Sequence, residues 1–134
     1  MPSIDAIEGI GPKFATKLRK AGIRTTEALL KRGATRGGRK EVAANAGLTD
    51  AQVLEWVNRA DLMRVKGIGE EYSDLLEAAG VDTVKELRTR NAANLLAKMV
   101  EVNTKKRLVR RLPTSKMVEG WIESASGLEA VVKY

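Results

Sequence analysis

Apolar residues recur along this chain at three- and four-residue spacings, the period of an α-helix with one buried face. Val53, Trp56, Val57 and Ala60 form one such stripe, and Val118, Trp121, Ile122 and Ala125 form another. No stretch alternates with the two-residue period of a strand. The spacing predicts a short helix near 3–8 and longer ones over 12–21, 26–33, 39–46, 50–60, 84–90, 92–102, 104–111 and 115–126. The residues between the stripes agree. Gly11 precedes Pro12, and a proline at the first helical position needs no N–H partner. Gly22 follows as a left-handed cap, and Ile23 sits where a Schellman cap wants an apolar contact back to Leu18. Gly80, Val81 and Leu76 repeat that arrangement. Thr49 with Gln52, and Thr83 with Glu86, have the spacing of capping boxes. The expected fold class is all-α.

The chain also matches itself. Gly9-Ile10-Gly11 recurs as Gly67-Ile68-Gly69, a shift of 58 positions that also carries Phe14 to Tyr72, Leu18 to Leu76, Thr25 to Thr83 and Leu29 to Leu87. Further on, Thr49, Val53, Trp56, Val57 and Ala60 recur as Thr114, Val118, Trp121, Ile122 and Ala125, now shifted by 65. Seven residues have therefore been gained between Leu87 and Thr114. This predicts two repeats, 1–61 and 62–134, joined by a continuous helical junction over 59–63. They are expected to be related by an approximate two-fold axis and to share a core in one compact globule. Ile10, Leu18, Leu29, Val53 and Trp56 should be buried, with their matches Ile68, Leu76, Leu87, Val118 and Trp121.

Composition narrows the chemistry. The chain has no cysteine and no histidine, which excludes thiol nucleophiles, disulfides, imidazole bases and the usual zinc sites. Its 134 residues contain no apolar run near the length of a membrane helix, and the first residues lack the pattern of a signal peptide. A cytoplasmic protein with no membrane contact is expected. The net charge of +7 and pI near 9.9 favour a polyanionic partner, though solubility alone can account for such a balance.

The sequence Ile7-x-Gly9-Ile10-Gly11-x-x-x-Ala15-x-x-Leu18-x-x-x-Gly22-Ile23 resembles the helix-hairpin-helix motif. So does Val65-x-Gly67-Ile68-Gly69-x-x-x-Ser73-x-x-Leu76-x-x-x-Gly80-Val81, with Ser73 in place of the usual small apolar residue. Nearly the whole chain is similar to a family of tandem helix-hairpin-helix proteins catalogued as a domain of unknown function. In such a hairpin the glycines permit a tight turn and a close backbone approach, and the isoleucine between them plugs the core. The second helix then presents unsatisfied amides at its positive end, a natural phosphate site that reads no bases. The resemblance thus implies sequence-independent nucleic-acid binding, to DNA more than RNA. Gly9, Gly11, Lys13, Phe14, Lys17 and Lys20 are the candidate site of the first hairpin, and Gly67 and Gly69 mark the second. In relatives of the motif, hairpin carbonyls hold a monovalent cation, which either turn would admit; no other metal or cofactor is expected.

Charge separates the two hairpins. The first helix opens without a carboxylate, and Lys13, Lys17 and Lys20 share one face, with Arg19 and Arg24 close by. The second opens with Glu70 and Glu71, followed by Asp74 and Glu77, which satisfy the helix dipole themselves and would repel phosphate. Its expected role is a structural copy. Lys105, Lys106, Arg107, Arg110 and Arg111 form a further basic cluster, either a second phosphate surface or a solvated helix face around Leu108 and Leu112. Arg36-Gly37-Gly38-Arg39-Lys40 makes a third, either a mobile helix entry that could admit a phosphate or, the preferred reading, an ordinary loop. The two tryptophans fall on apolar stripes and are expected in the core rather than stacked on bases. Nothing here assembles a catalytic acid–base pair, so no enzymatic activity is expected. The alternative to nucleic-acid binding is a protein-interaction or scaffold role.

Overall fold

The computed structural model describes residues 3–7 and 9–134; Glu8, at the end of the first predicted helix, lies outside them. A 3-10 turn (Ile4–Ala6) precedes eight α-helices among the described residues: α1 (Pro12–Lys20), α2 (Thr26–Arg32), α3 (Arg36–Ala46), α4 (Asp50–Leu62), α5 (Glu70–Ala78), α6 (Val84–Leu87), α7 (Ala92–Lys106) and α8 (Ser115–Ser126). The only extended pairing among them is an isolated antiparallel bridge between Ser3 and Thr25. The chain is all-helical.

The chain divides into two compact units. The first runs to Asp61 and takes in Val131–Tyr134; the second is Leu62–Ala130. All ten residues expected in the core are buried, Trp56 and Trp121 at 4% exposure each. In the second unit Leu76, Leu87, Val118 and Trp121 pack in one cluster with Leu62, Leu75, Leu95 and Met99. In both units the backbone after the hairpin helix closes in the same way. Ile23 N–H donates to Leu18 O at 2.9 Å and Gly22 N–H to Arg19 O at 3.0 Å. Val81 and Gly80 make the matching bonds to Leu76 and Glu77 at 2.9 and 3.0 Å. These are the paired bonds of a Schellman cap, and they satisfy carbonyls that the helix end would otherwise leave bare. Arg32 and Arg90, 58 positions apart, reach back to the same corner: one donates to Ala21 O at 3.4 Å, the other to Gly80 O at 2.9 Å.

Three stretches differ from the periodic reading. α7 is one helix through Lys106, so the predicted break after 102 does not occur and the predicted helix over 104–111 does not form. Arg107 ends α7 in the left-handed region, with φ 50°, and the chain runs irregularly from there to Thr114. α3 begins at Arg36 rather than Arg39, which places Gly37 and Gly38 in its first turn instead of a loop. A Cβ on Gly38 would collide with Arg32 O, so the glycine permits α2 and α3 to approach. Finally, α6 is a single turn, with Thr83 capping it by accepting from Glu86 N–H, while the Glu86 carboxylate pairs with Arg90 at 2.7 Å. Thr49 and Gln52 do form a reciprocal box: Gln52 N–H donates to Thr49 Oγ1 at 3.1 Å and Thr49 N–H to Gln52 Oε1 at 3.0 Å.

Candidate nucleic-acid interface

Each hairpin rests on a tryptophan. Gly9 has φ 94° and Gly67 has φ 95°, conformations that L side chains rarely adopt. A Cβ on Gly9 would lie 3.3 Å from Trp56 Nε1, and one on Gly67 would lie 3.2 Å from Trp121 Nε1. The close approach expected of the glycines is therefore made by an indole edge. Phe14 of α1 stands against Trp56, ring centroids 5.2 Å apart, and Tyr72 of α5 stands against Trp121 at 5.1 Å. Tilted aromatic pairs at this separation are favourable beyond the area they bury. The stripe residues of α4 and α8 thus fix the angle at which α1 and α5 leave their turns.

Gly11 and Gly69 behave differently. Each is the N-cap of its helix in extended backbone, and a Cβ at either position would meet nothing within 4 Å. Neither supplies a side-chain cap. Every other helix has one. Thr25, Thr35, Thr49, Thr83, Asn91 and Thr114 accept from an amide in the first turn of α2, α3, α4, α6, α7 and α8. The starts of α1 and α5 are the two left uncapped by a side chain.

At α1 no acidic residue occupies the first turn. Lys13 and Lys20 are exposed. Lys17 is half-buried, with Nζ 5.9 Å above the Phe14 ring, a cation–π contact that holds its stem along the helix. Arg19 turns away from this face to Asp5, 3.5 Å distant, and to Ser3 Oγ at 3.3 Å. The Ser3 hydroxyl, and then Arg19, hold the Asp5 carboxyl below its ordinary range. At α5 the first turn carries Glu70 and Glu71, and the buried Ser73 hydroxyl donates to Glu70 O at 2.9 Å. The departure from a small apolar residue at Ser73 is thereby satisfied inside the helix.

The further basic clusters separate. Lys105 and Lys106 lie in the last turn of α7, whereas Arg107, Arg110 and Arg111 lie in the irregular segment that follows. They do not share a helix face. Arg39 of the third cluster is buried and holds the first unit together: it donates to Gly33 O at 2.9 Å and Lys133 O at 2.8 Å, and lies 6.0 Å from the Tyr134 ring centroid. It is a structural arginine, which the charge pattern alone did not reveal. A cavity of about 330 Å³ lined by Arg36, Arg39, Asp50, Leu54 and Tyr134 adjoins it.

Among the described residues, no three His, Cys, Asp or Glu side chains gather into a metal-binding group. No helix is long and apolar enough to cross a membrane. No solved structure gives a significant match to the chain. The family described as Domain of unknown function (DUF4332) matches residues 8–128, and the chain belongs to that family.

Proposed function

We propose that this is a non-catalytic protein that grips nucleic-acid backbone, DNA before RNA, without reading sequence, and that its first helix-hairpin-helix unit is the principal contact. One observation carries the reading: α1 starts with a glycine N-cap, no side-chain cap and no acid, in a chain that caps six other helices with threonine or asparagine. The amides of Gly11, Lys13 and Phe14 are then left at the helix start without a side-chain cap, where a phosphate would meet N–H donors and the positive end of the helix dipole. Lys13 and Lys17 extend the positive charge along a backbone lying there. Gly11 supports the same reading, because nothing within the protein crowds its missing side chain.

The second hairpin favours a scaffold role for its own unit, since Glu70 and Glu71 already occupy the helix start. Salt-dependent binding to a mixed-sequence duplex and to single-stranded DNA tests the whole reading. Lys13→Glu with Lys17→Glu should weaken binding for all sequences alike and lower the salt slope by about one for each phosphate no longer held. Equal weakening from the same changes at Lys98 and Lys133 would leave net charge as the whole explanation and move the scaffold role ahead.

A further inference from the structure

The seven residues gained in the second unit are not spread evenly. In the first unit Gly47 and Leu48 alone separate α3 from Thr49, the cap of α4. In the second, residues 107–113 separate α7 from Thr114, the cap of α8, and they bring Arg107, Arg110 and Arg111. Resting on the nucleic-acid reading above, we infer that this segment is a second phosphate-gripping site: a pinned loop whose three guanidinium groups take hold of a nucleic-acid backbone.

The loop backbone is fixed. Asn103, one turn before the end of α7, clamps Val109 from both sides, its Oδ1 accepting from Val109 N–H at 3.0 Å and its Nδ2 donating to Val109 O at 3.2 Å. Tyr72 of α5 donates its hydroxyl to Arg111 O at 3.0 Å. Val109 and Pro113 are buried. The chain is thus held at three points around Arg110 and Arg111, while the side chains of Arg107, Arg110 and Arg111 stand exposed. Phe14, which matches Tyr72 in the first unit, has no hydroxyl with which to make such a tether.

The guanidinium groups of the three arginines take no part in the polar contacts that hold the fold. Arg39, Arg64, Arg88 and Arg90 each donate to a backbone carbonyl, and Arg59 pairs with Glu55. Among the described residues, no ion pair or side-chain hydrogen bond involves the guanidinium of Arg107, Arg110 or Arg111. Arg107 also stands where a glycine would be easier. It is the only described non-glycine residue with positive φ, and the matching helix end in the first unit has Gly47 at φ 68°. A side chain kept in a disfavoured backbone conformation, unpartnered and facing solvent, points to use rather than packing. Guanidinium groups bind phosphate oxygens in a bidentate fork, and a pre-set loop loses less freedom in doing so.

Fluorescence anisotropy of the full chain with a labelled mixed-sequence DNA duplex, over a series of salt concentrations, tests this. Arg107→Gly with Arg110→Ser and Arg111→Ser should weaken binding by about tenfold or more at low salt and lower the salt slope by about two to three. The melting temperature should hold, because those side chains are exposed and make no ion pair or side-chain hydrogen bond, and glycine suits the backbone at 107. Tyr72→Phe keeps every charge and should weaken binding by roughly two- to threefold with little change in slope, the mark of impaired positioning rather than reduced charge. The control is serine at Lys40, Lys66 and Lys85, three exposed positions elsewhere. Unchanged binding by the arginine variant, alongside weakening by Lys13→Glu with Lys17→Glu, overturns the loop and leaves the hairpin reading standing. Equal weakening by the lysine control overturns it in favour of net charge. If the unaltered protein binds no duplex but retains polyglutamate through the loop, both readings fall and an acidic protein surface takes the place of nucleic acid.

Discussion

The hairpins at residues 9–11 and 67–69 have nearly the same turn and opposite chemistry. Each turns on a glycine near φ 95°, packs against an indole edge, and returns through a Schellman cap. One then opens onto Pro12 and Lys13, the other onto Glu70 and Glu71. The backbone is set by residues that face inward, so the outward residues at the helix start can be basic or acidic without disturbing it. A hairpin that leaves its helix end to a ligand gives up the stabilisation that an acid there would supply. The second hairpin has taken that stabilisation; on the proposed reading, the first leaves its helix end to a partner instead.

The sharpest way to break this comparison is at its floor. Trp56→Ala and Trp121→Ala should each cost about 3–5 kcal/mol, because both remove a buried aromatic that carries a hairpin. Urea unfolding followed by the helical circular dichroism signal measures each cost, and the one remaining tryptophan, in the other unit, shows by its fluorescence whether that unit is left unchanged. Costs that differ by more than a factor of two would show that the hairpins are not built alike.

A smaller effect should come from exchanging the outward chemistry. Glu70→Lys with Glu71→Lys removes two charges that favour the helix N-terminus, about 0.3–1 kcal/mol each at low salt. Thermal melting should fall accordingly while duplex binding rises, by opening the second anion site. A drop in stability without any gain in binding would mean that the second hairpin lacks more than charge.

The smallest effect lies where Arg24 of the first unit is matched by Asp82 of the second. Burial, and then the nearby Glu86, raise the Asp82 pKa above its ordinary value, with Arg90 opposing. A raised carboxyl pKa in the folded state means that its ionised form opposes folding at neutral pH. Asp82→Asn should therefore melt slightly higher than the unaltered protein at pH 7. The difference should close as pH falls through the raised value toward the ordinary one, where both states are protonated. A difference that persisted in acid would assign the gain to the amide's hydrogen bonds instead.

Much of this architecture was legible in the residues themselves. The stripes of α4 and α8 put Trp56 and Trp121 in the core, and Gly22-Ile23 and Gly80-Val81 marked how their helices end. What escaped depends on contacts between distant residues. Residues 104–111 contain no glycine or proline, so local preference favours a helix; Asn103 capturing Val109, together with the left-handed Arg107, ends it instead. Gly37 and Gly38 look like a loop because glycine is a poor helix former, yet α3 needs a bare backbone where Arg32 O approaches. Arg39 reads as one more surface charge until the carbonyls of Gly33 and Lys133 are seen around it. At the candidate site, the acid-free start of α1 was visible in sequence, whereas the absence of any side-chain cap there became informative only beside the six capped helices.

Arg39 also ties together segments that a ribosome makes far apart. Lys133 O accepts from its guanidinium, Lys133 N–H donates to Ala34 O at 2.7 Å, and Tyr134 donates its hydroxyl to Asn58 Oδ1 at 3.1 Å. The first unit is therefore discontinuous in the chain, with all of Leu62–Ala130 synthesised between its two pieces. During translation the second unit emerges whole before the first can be finished, and contacts across such a separation are slow to close. The unit made first is the one completed last.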